Sequence, residues 1–208
     1  MEIDLSLIGM ERGRQYETII TSQNDEGIKN AAPIGVLCSG RDMILNRIFK
    51  GSQTLDNIIS QKEFTVNITH SPELFTDSLL GNLDDKLFSD DLSLKDCDAY
   101  FKCEVISFTE AVKRSDPVRN KGEAIIIKSK VTDLKINKDT AAFNRGFGYV
   151  IESLTNFSRF DLVEGELKEF YIKRFRESYR IVNKVGTKQD IKVMHKIKKE
   201  LKAKGHDI

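Results

Sequence analysis

Apolar residues alternate with polar ones over the first two thirds of the chain and recur every three or four positions over the last third. Tyr16-Glu-Thr-Ile-Ile-Thr-Ser-Gln23 is rich in β-formers and predicts a strand. Asn24-Asp-Glu-Gly27 is a turn, and the chain returns through Ile28 to Leu37. Ser39-Gly-Arg-Asp42 is a second turn before a third strand over Met43-Ile-Leu-Asn-Arg-Ile-Phe49. Three strands so close in sequence predict a meander. The period then changes. Leu55, Ile58 and Ile59 fall at i, i+3 and i+4, which predicts a short helix with Ser52 as its N-cap.

Lys62 to Thr69 returns to alternation, with Phe64, Val66 and Ile68 on one face. Asn67, on the other face, reads as a barrel-surface or interface residue. Residues 71–99 read as a short helix and a loop. Two long strands follow over 99–112 and 123–136, joined by a loop through Pro117 and 118–122. Three helices complete the chain. Phe143, Phe147, Val150, Ile151, Leu154 and Phe157 mark the first, with its phenylalanines expected in the core. Leu167, Phe170, Tyr171, Phe175, Tyr179 and Val182 mark the second, and Ile191, Met194, Ile197 and Leu201 the third. The fold class expected is α+β: a β-barrel-like domain over 1–138 and a helical region over 139–208.

Composition narrows the class. Of 208 residues 31% are charged and 39% apolar, the proportions of a globular domain. No apolar run approaches the ~20 residues a membrane span needs. The amino-terminal stretch carries acids where an export signal carries bases, so a cytoplasmic location is expected. The net charge of +1 conceals two opposed regions: residues 164–208 hold 13 Lys/Arg against 7 Asp/Glu, and residues 71–100 hold 2 against 8. A globally basic surface for nucleic acid is therefore not expected. Three cysteines without C-x-x-C spacing and three histidines without i, i+4 pairing predict neither a disulfide framework nor a metal site. Cys38 and Cys103 read as packing residues.

One ordered set of segments is more specific: Asn30-Ala-Ala-Pro-Ile-Gly35, then Gly51-Ser-Gln-Thr-Leu-Asp-Asn-Ile58, then Glu63-Phe-Thr-Val-Asn-Ile68. Over residues 16–69 this resembles the flavin-reductase-like FMN-binding split β-barrel superfamily. Tyr16-Glu-Thr, the Arg47-to-Thr54 segment, Ala142-Phe-Asn-Arg145 and Val150-Ile-Glu152 extend the resemblance. They resemble an uncharacterised, mainly archaeal family of split-barrel proteins along nearly the whole chain. Two features depart from the reductase pattern: Ser52-Gln53-Thr54 stands for Lys-Asp-Thr, and Gly40-Arg41-Asp42 for a Pro-Pro pair.

The resemblance implies a bound flavin mononucleotide, FMN, and a homodimer whose second subunit completes the flavin site. The residues suit the ligand's chemistry. A phosphate is held by N–H groups and hydroxyls at a helix start, which Gly51, Ser52 and Thr54 offer, with Arg47 or Lys50 for charge. The ring edge needs donors and acceptors from a strand such as Asn30, Ala31, Ala32, Pro33, Ile34 and Gly35. Pro33 marks an edge or bulge there, and Gly35 permits close approach. Ile48 and Phe49 complete the candidate cofactor segment, and Asn57 belongs to the Thr-x-x-Asn-Ile pattern. Each residue also has an ordinary reading: a helix cap, a solvated strand arginine, a turn asparagine. No catalytic residue is assigned. The function expected is an FMN-binding flavoprotein, either an oxidoreductase taking hydride from a reduced nicotinamide or a non-catalytic flavin or interaction module.

Overall fold

The computed structural model describes residues 3–81, 83–111, 123–206 and 208. Val112, the end of the first long strand expected, and the loop expected through Pro117 and 118–122 lie outside the described residues. The chain forms two compact units, one ending at Phe143 and one beginning at Asn144.

The first unit is a closed barrel in which strands follow the order β1-β2-β3-β6-β5-β4. They are β1 (Gln15–Gln23), β2 (Lys29–Cys38), β3 (Met43–Phe49), β4 (Glu63–Ile68), β5 (Ala99–Ala111) and β6 (Ala124–Ile136). The meander β1-β2-β3 is as the turns predict. All pairs are antiparallel, and β4 closes the barrel by pairing Ile19–Thr21 of β1 with Thr65–Asn67. Alternation sorts each strand into an inner and an outer set. Ile44, Ile48, Val66, Phe101, Ile127 and Val131 fill the interior. Helix α1 (Gln53–Gln61) adds Leu55 and Ile58 to that core. Its start is capped as expected, Ser52 Oγ accepting from the Leu55 N–H. Helix α2 (Pro72–Leu80) and a 3₁₀ turn at Asp85–Leu87 occupy the acidic segment. They shelter a second apolar cluster with Ile19, Leu74, Phe88, Leu94 and Tyr100.

Asn67 is not a surface residue. It is fully buried, donates to the Ile19 carbonyl and Thr21 Oγ1, and accepts from the Leu94 N–H at 2.7 Å. Its face is the one that the acidic segment covers, a burial that alternation alone does not reveal.

The second unit holds α3 (Gly146–Ser158), α4 (Gly165–Val185) and α5 (Lys188–Ala203) around Val150, Phe160, Phe175, Val182, Met194, Ile197 and Leu201. A reciprocal capping box between Thr187 and Asp190 starts α5. The phenylalanine stripe expected in the core divides differently. Phe143 precedes α3 and bridges to Glu17 in the first unit, Phe147 is 62% exposed, and Phe157 packs at the cluster edge. A stripe at helical spacing exceeds the width that the neighbouring helices cover.

Candidate functional site

The barrel seam between β2 and β3 is short. Only Val36, Leu37 and Cys38 pair with Asn46, Leu45 and Ile44. Towards the other end of β2, among the described residues, 29–35 pair with β1 alone and 47–49 of β3 with β6 alone. The two strands therefore part at a fork just beyond Val36 and Asn46.

The direction of the backbone groups on this part of β2 follows from three contacts. The carbonyl of Ile28 accepts from the Asn24 N–H, that of Ile34 accepts from Thr18 Oγ1, and the Cys38 N–H donates to Arg14. All three lie on even-numbered residues and face the β1 side. The register between β1 and β2 is unbroken, so polar groups of odd-numbered residues face the fork. The fork edge thus carries the N–H groups of Ala31 and Gly35 and the carbonyls of Ala31, Pro33 and Gly35. Pro33, read as an edge or bulge residue, stands on this edge and has no N–H to offer. Gly35 is approached by protein: a Cβ there would run into the Gln15 side chain, a neighbour the sequence does not signal.

On the opposite arm Arg47 is exposed, with its guanidinium 5.6 Å from the centroid of the half-buried Phe49 ring. Among the described residues it has no carboxylate partner. Lys50 differs: its Nζ lies 2.8 Å from Glu110 and 2.6 Å from Glu123. The hydrogen bonds that the ammonium donates to these two carboxylates raise its pKa above the ordinary value. Ile48 points into the barrel core.

Between the arms the chain turns at Gly51, whose φ of +78° favours glycine, and enters α1. Ser52 Oγ donates to the Phe49 carbonyl at 2.9 Å while capping the helix. The Leu55 and Asp56 N–H groups are taken up by Ser52. The N–H groups of Gln53 and Thr54 are those the first helical turn leaves without an intrahelical acceptor. The Thr54 hydroxyl is buried and accepts from Asn30 Nδ2 at 2.8 Å, tying β2 to the helix start. Asn57 is also buried and donates to Ser22 Oγ at 3.1 Å.

The fourteen candidate residues therefore fall into groups. Ala31, Pro33, Gly35, Arg47, Phe49, Gly51 and Ser52 meet around the fork and the helix start. Asn30 and Thr54 brace that region, Lys50 is engaged by carboxylates, and Ala32, Ile34, Ile48 and Asn57 belong to the inner set of the barrel or to its end. A separate cavity of about 240 Å³, lined by Glu63, Asp91, Lys102 and Glu104 among others, shares no residue with the fork. Among the described residues no His/Cys/Asp/Glu cluster could hold a metal ion, and no helix is long and apolar enough to cross a membrane.

Residues 16–138 match the N-terminal domain of the protein of unknown function family DUF447, and residues 144–199 match a second DUF447 region. Uncharacterized protein MJ1453 of Methanocaldococcus jannaschii is 25% identical over 178 residues, 83% of this chain and 91% of that protein. The crystal structure of the FMN-bound protein MM1853 of Methanosarcina mazei is 26% identical, with a TM-score of 0.54. That likeness covers 94% of this chain and 99% of that one. Nitrilotriacetate monooxygenase component B from Bacillus cereus matches 65% of this chain and 77% of its own, at 15% identity and a TM-score of 0.48.

Proposed function

The chain belongs to the DUF447 family, and from that premise we propose that it is an FMN-binding flavoprotein whose cofactor site is the fork between β2 and β3. The observation that carries the reading is the backbone edge of residues 29–35, unpaired among the described residues, beside the start of α1. That edge offers a row of donors and acceptors suited to the polar rim of a flavin ring. The Gln53 and Thr54 N–H groups, at the positive end of the helix dipole, suit a phosphate. Arg47, which has no carboxylate partner among the described residues, suits its charge. The FMN bound by the M. mazei relative agrees with this choice of ligand.

The ring carries the chemistry when FMN is bound, accepting or donating electrons. The chain's own residues hold and orient it. Arg47 and the helix start fix the phosphate, the β2 edge fixes the ring, and the Asn30–Thr54 contact holds these two parts at a set spacing. The finer part of the proposal is that the protein is an oxidoreductase reduced by a nicotinamide, and that a second copy of the chain supplies the remaining wall of the site.

Titration of the flavin-free protein with FMN tests the assignment. Arg47→Ala removes a charge-assisted contact of about 1.5–3 kcal/mol, a loss of roughly 10- to 150-fold in affinity. Lys50→Ala, whose ammonium is already engaged, changes affinity less than about threefold. The reverse order would place the phosphate elsewhere, and a protein that takes up no FMN would end the flavin reading. Anaerobic mixing of the FMN-loaded protein with NADH or NADPH should bleach the flavin, and persistent colour with both would favour a binding module or an enzyme with a different reductant. Light scattering of the FMN-loaded protein should give the mass of a dimer.

A further inference from the structure

Among the described residues, Asn46 and Ser129 stand inside the barrel as polar side chains without partners. Asn46 is 1% exposed and Ser129 0%. Neither Nδ2 nor Oδ1 of Asn46, nor Oγ of Ser129, has a hydrogen-bond partner among the described residues. Because both ends of the amide are without one, exchanging its oxygen and nitrogen repairs nothing. Buried groups of this kind are strongly disfavoured when dry.

The register brings the two residues together. Ser129 lies opposite Ile44 and Asn46 opposite Ile127, so the two are diagonal neighbours on the inner face of the β3–β6 pair. Diagonal positions are about 7–8 Å apart at the backbone, and side chains shorten the distance. Val36, Ile48, Ile127 and Val131, which share this interior, supply no side-chain donor or acceptor. The position is also specific. Val36–Asn46 is the last pair of the β2–β3 seam before the fork, so the amide sits directly behind the opening. The apolar surroundings disfavour a charged ligand, whereas a small neutral molecule that both donates and accepts suits an amide and a hydroxyl.

We propose that the barrel contains an internal hydration site behind the fork, at which at least one ordered water is shared by the Asn46 amide and the Ser129 hydroxyl. The site is separate from the FMN reading and stands without it. It accounts for a polar pair in an apolar barrel: one water can hydrogen-bond to both residues at once.

The test is a pair of single variants and their combination, Asn46→Leu, Ser129→Ala and both, compared by thermal midpoint without ligand. With a shared water each single change removes about one hydrogen bond and lowers the midpoint by roughly 2–4 °C. The double variant then falls no further than the more damaging single one, because the second change has nothing left to break. Midpoints that rise in the single variants would mean that the groups are dry. A double variant that falls by the full sum would mean that they do not share a water, and either result overturns the proposal. A high-resolution crystal structure of the unaltered protein decides independently of how the variants fold. Density within about 2.7–3.2 Å of both residues is expected, and a featureless site overturns the proposal.

Discussion

Thr54→Val tests how the candidate site is held together. The substitution keeps the β-branched shape and removes only the hydroxyl. In the structure that hydroxyl is 3% exposed and accepts from Asn30 Nδ2 at 2.8 Å. A neutral hydrogen bond of this kind contributes about 0.5–1.5 kcal/mol net. Asn30 is half-buried, so its released amide recovers part of its hydration, and the expected loss is about 1 kcal/mol. For a chain of this size that lowers the thermal midpoint by roughly 2–4 °C. Asn30→Ala should cost a similar amount, and the double variant should fall short of the sum by about 1 kcal/mol. Circular dichroism of the four flavin-free proteins measures this cycle. FMN titration of the same four separates a brace from a phosphate ligand. A brace costs stability and leaves Thr54→Val within about threefold of the parent affinity. Single-variant losses that add within about 0.3 kcal/mol would refute the contact. An affinity loss of tenfold with unchanged stability would refute the brace and give the hydroxyl to the phosphate.

Other expectations concern parts away from the fork. Burial pushes the Asp91 carboxyl up, but hydrogen bonds from Ser89, Tyr100 and Ser93 outweigh it and hold the group well below the usual carboxylate range. Its stabilisation is complete above the unfolded value near 3.9 and fades as pH falls through the depressed native one. The urea midpoints of the parent and Asp91→Asn should therefore differ at neutral pH and converge below about pH 4. A gap that stays constant over the whole range would contradict this. All three cysteines are buried, and burial pushes Cys97 up to about 12 and Cys103 well above its ordinary value. At pH 8 no thiol of the folded protein should react with Ellman's reagent, and all three should react after denaturation. Thr187→Ala opens the capping box of α5 and should cost the second unit about 1 kcal/mol, seen as earlier loss of helical signal on heating.

Much of the barrel was legible because its signals are local. The Asn24–Gly27 and Ser39–Asp42 turns bound the meander, and Ser52 marks the start of α1 as its side chain suggests. What the sequence could not show depends on partners far along the chain. Lys50 meets Glu110 and Glu123, 60 and 73 residues away, and nothing near Lys50 announces either. Asn57 resembles a ligand residue by its motif, yet Ser22, 35 positions earlier, holds its amide. The fork is of the same kind. Pro33 hinted at an edge, but the parting of β2 from β3 after Val36 is a property of the pairing. The outward phenylalanines of the helical third were misjudged because spacing gives the direction of a stripe and not the width of what covers it.

The proline on the fork edge has one more consequence, for solubility. An unpaired strand edge invites other chains to add a strand, and uninterrupted edges of this kind seed aggregates. The edge of β2 is interrupted at its middle, because Pro33 has no N–H to give and its ring stands where an incoming strand would need a donor. The same backbone can therefore stay open to a small ligand while offering a poor template to another polypeptide. Before any ligand arrives, that single residue weakens the parted seam as a template for strand addition.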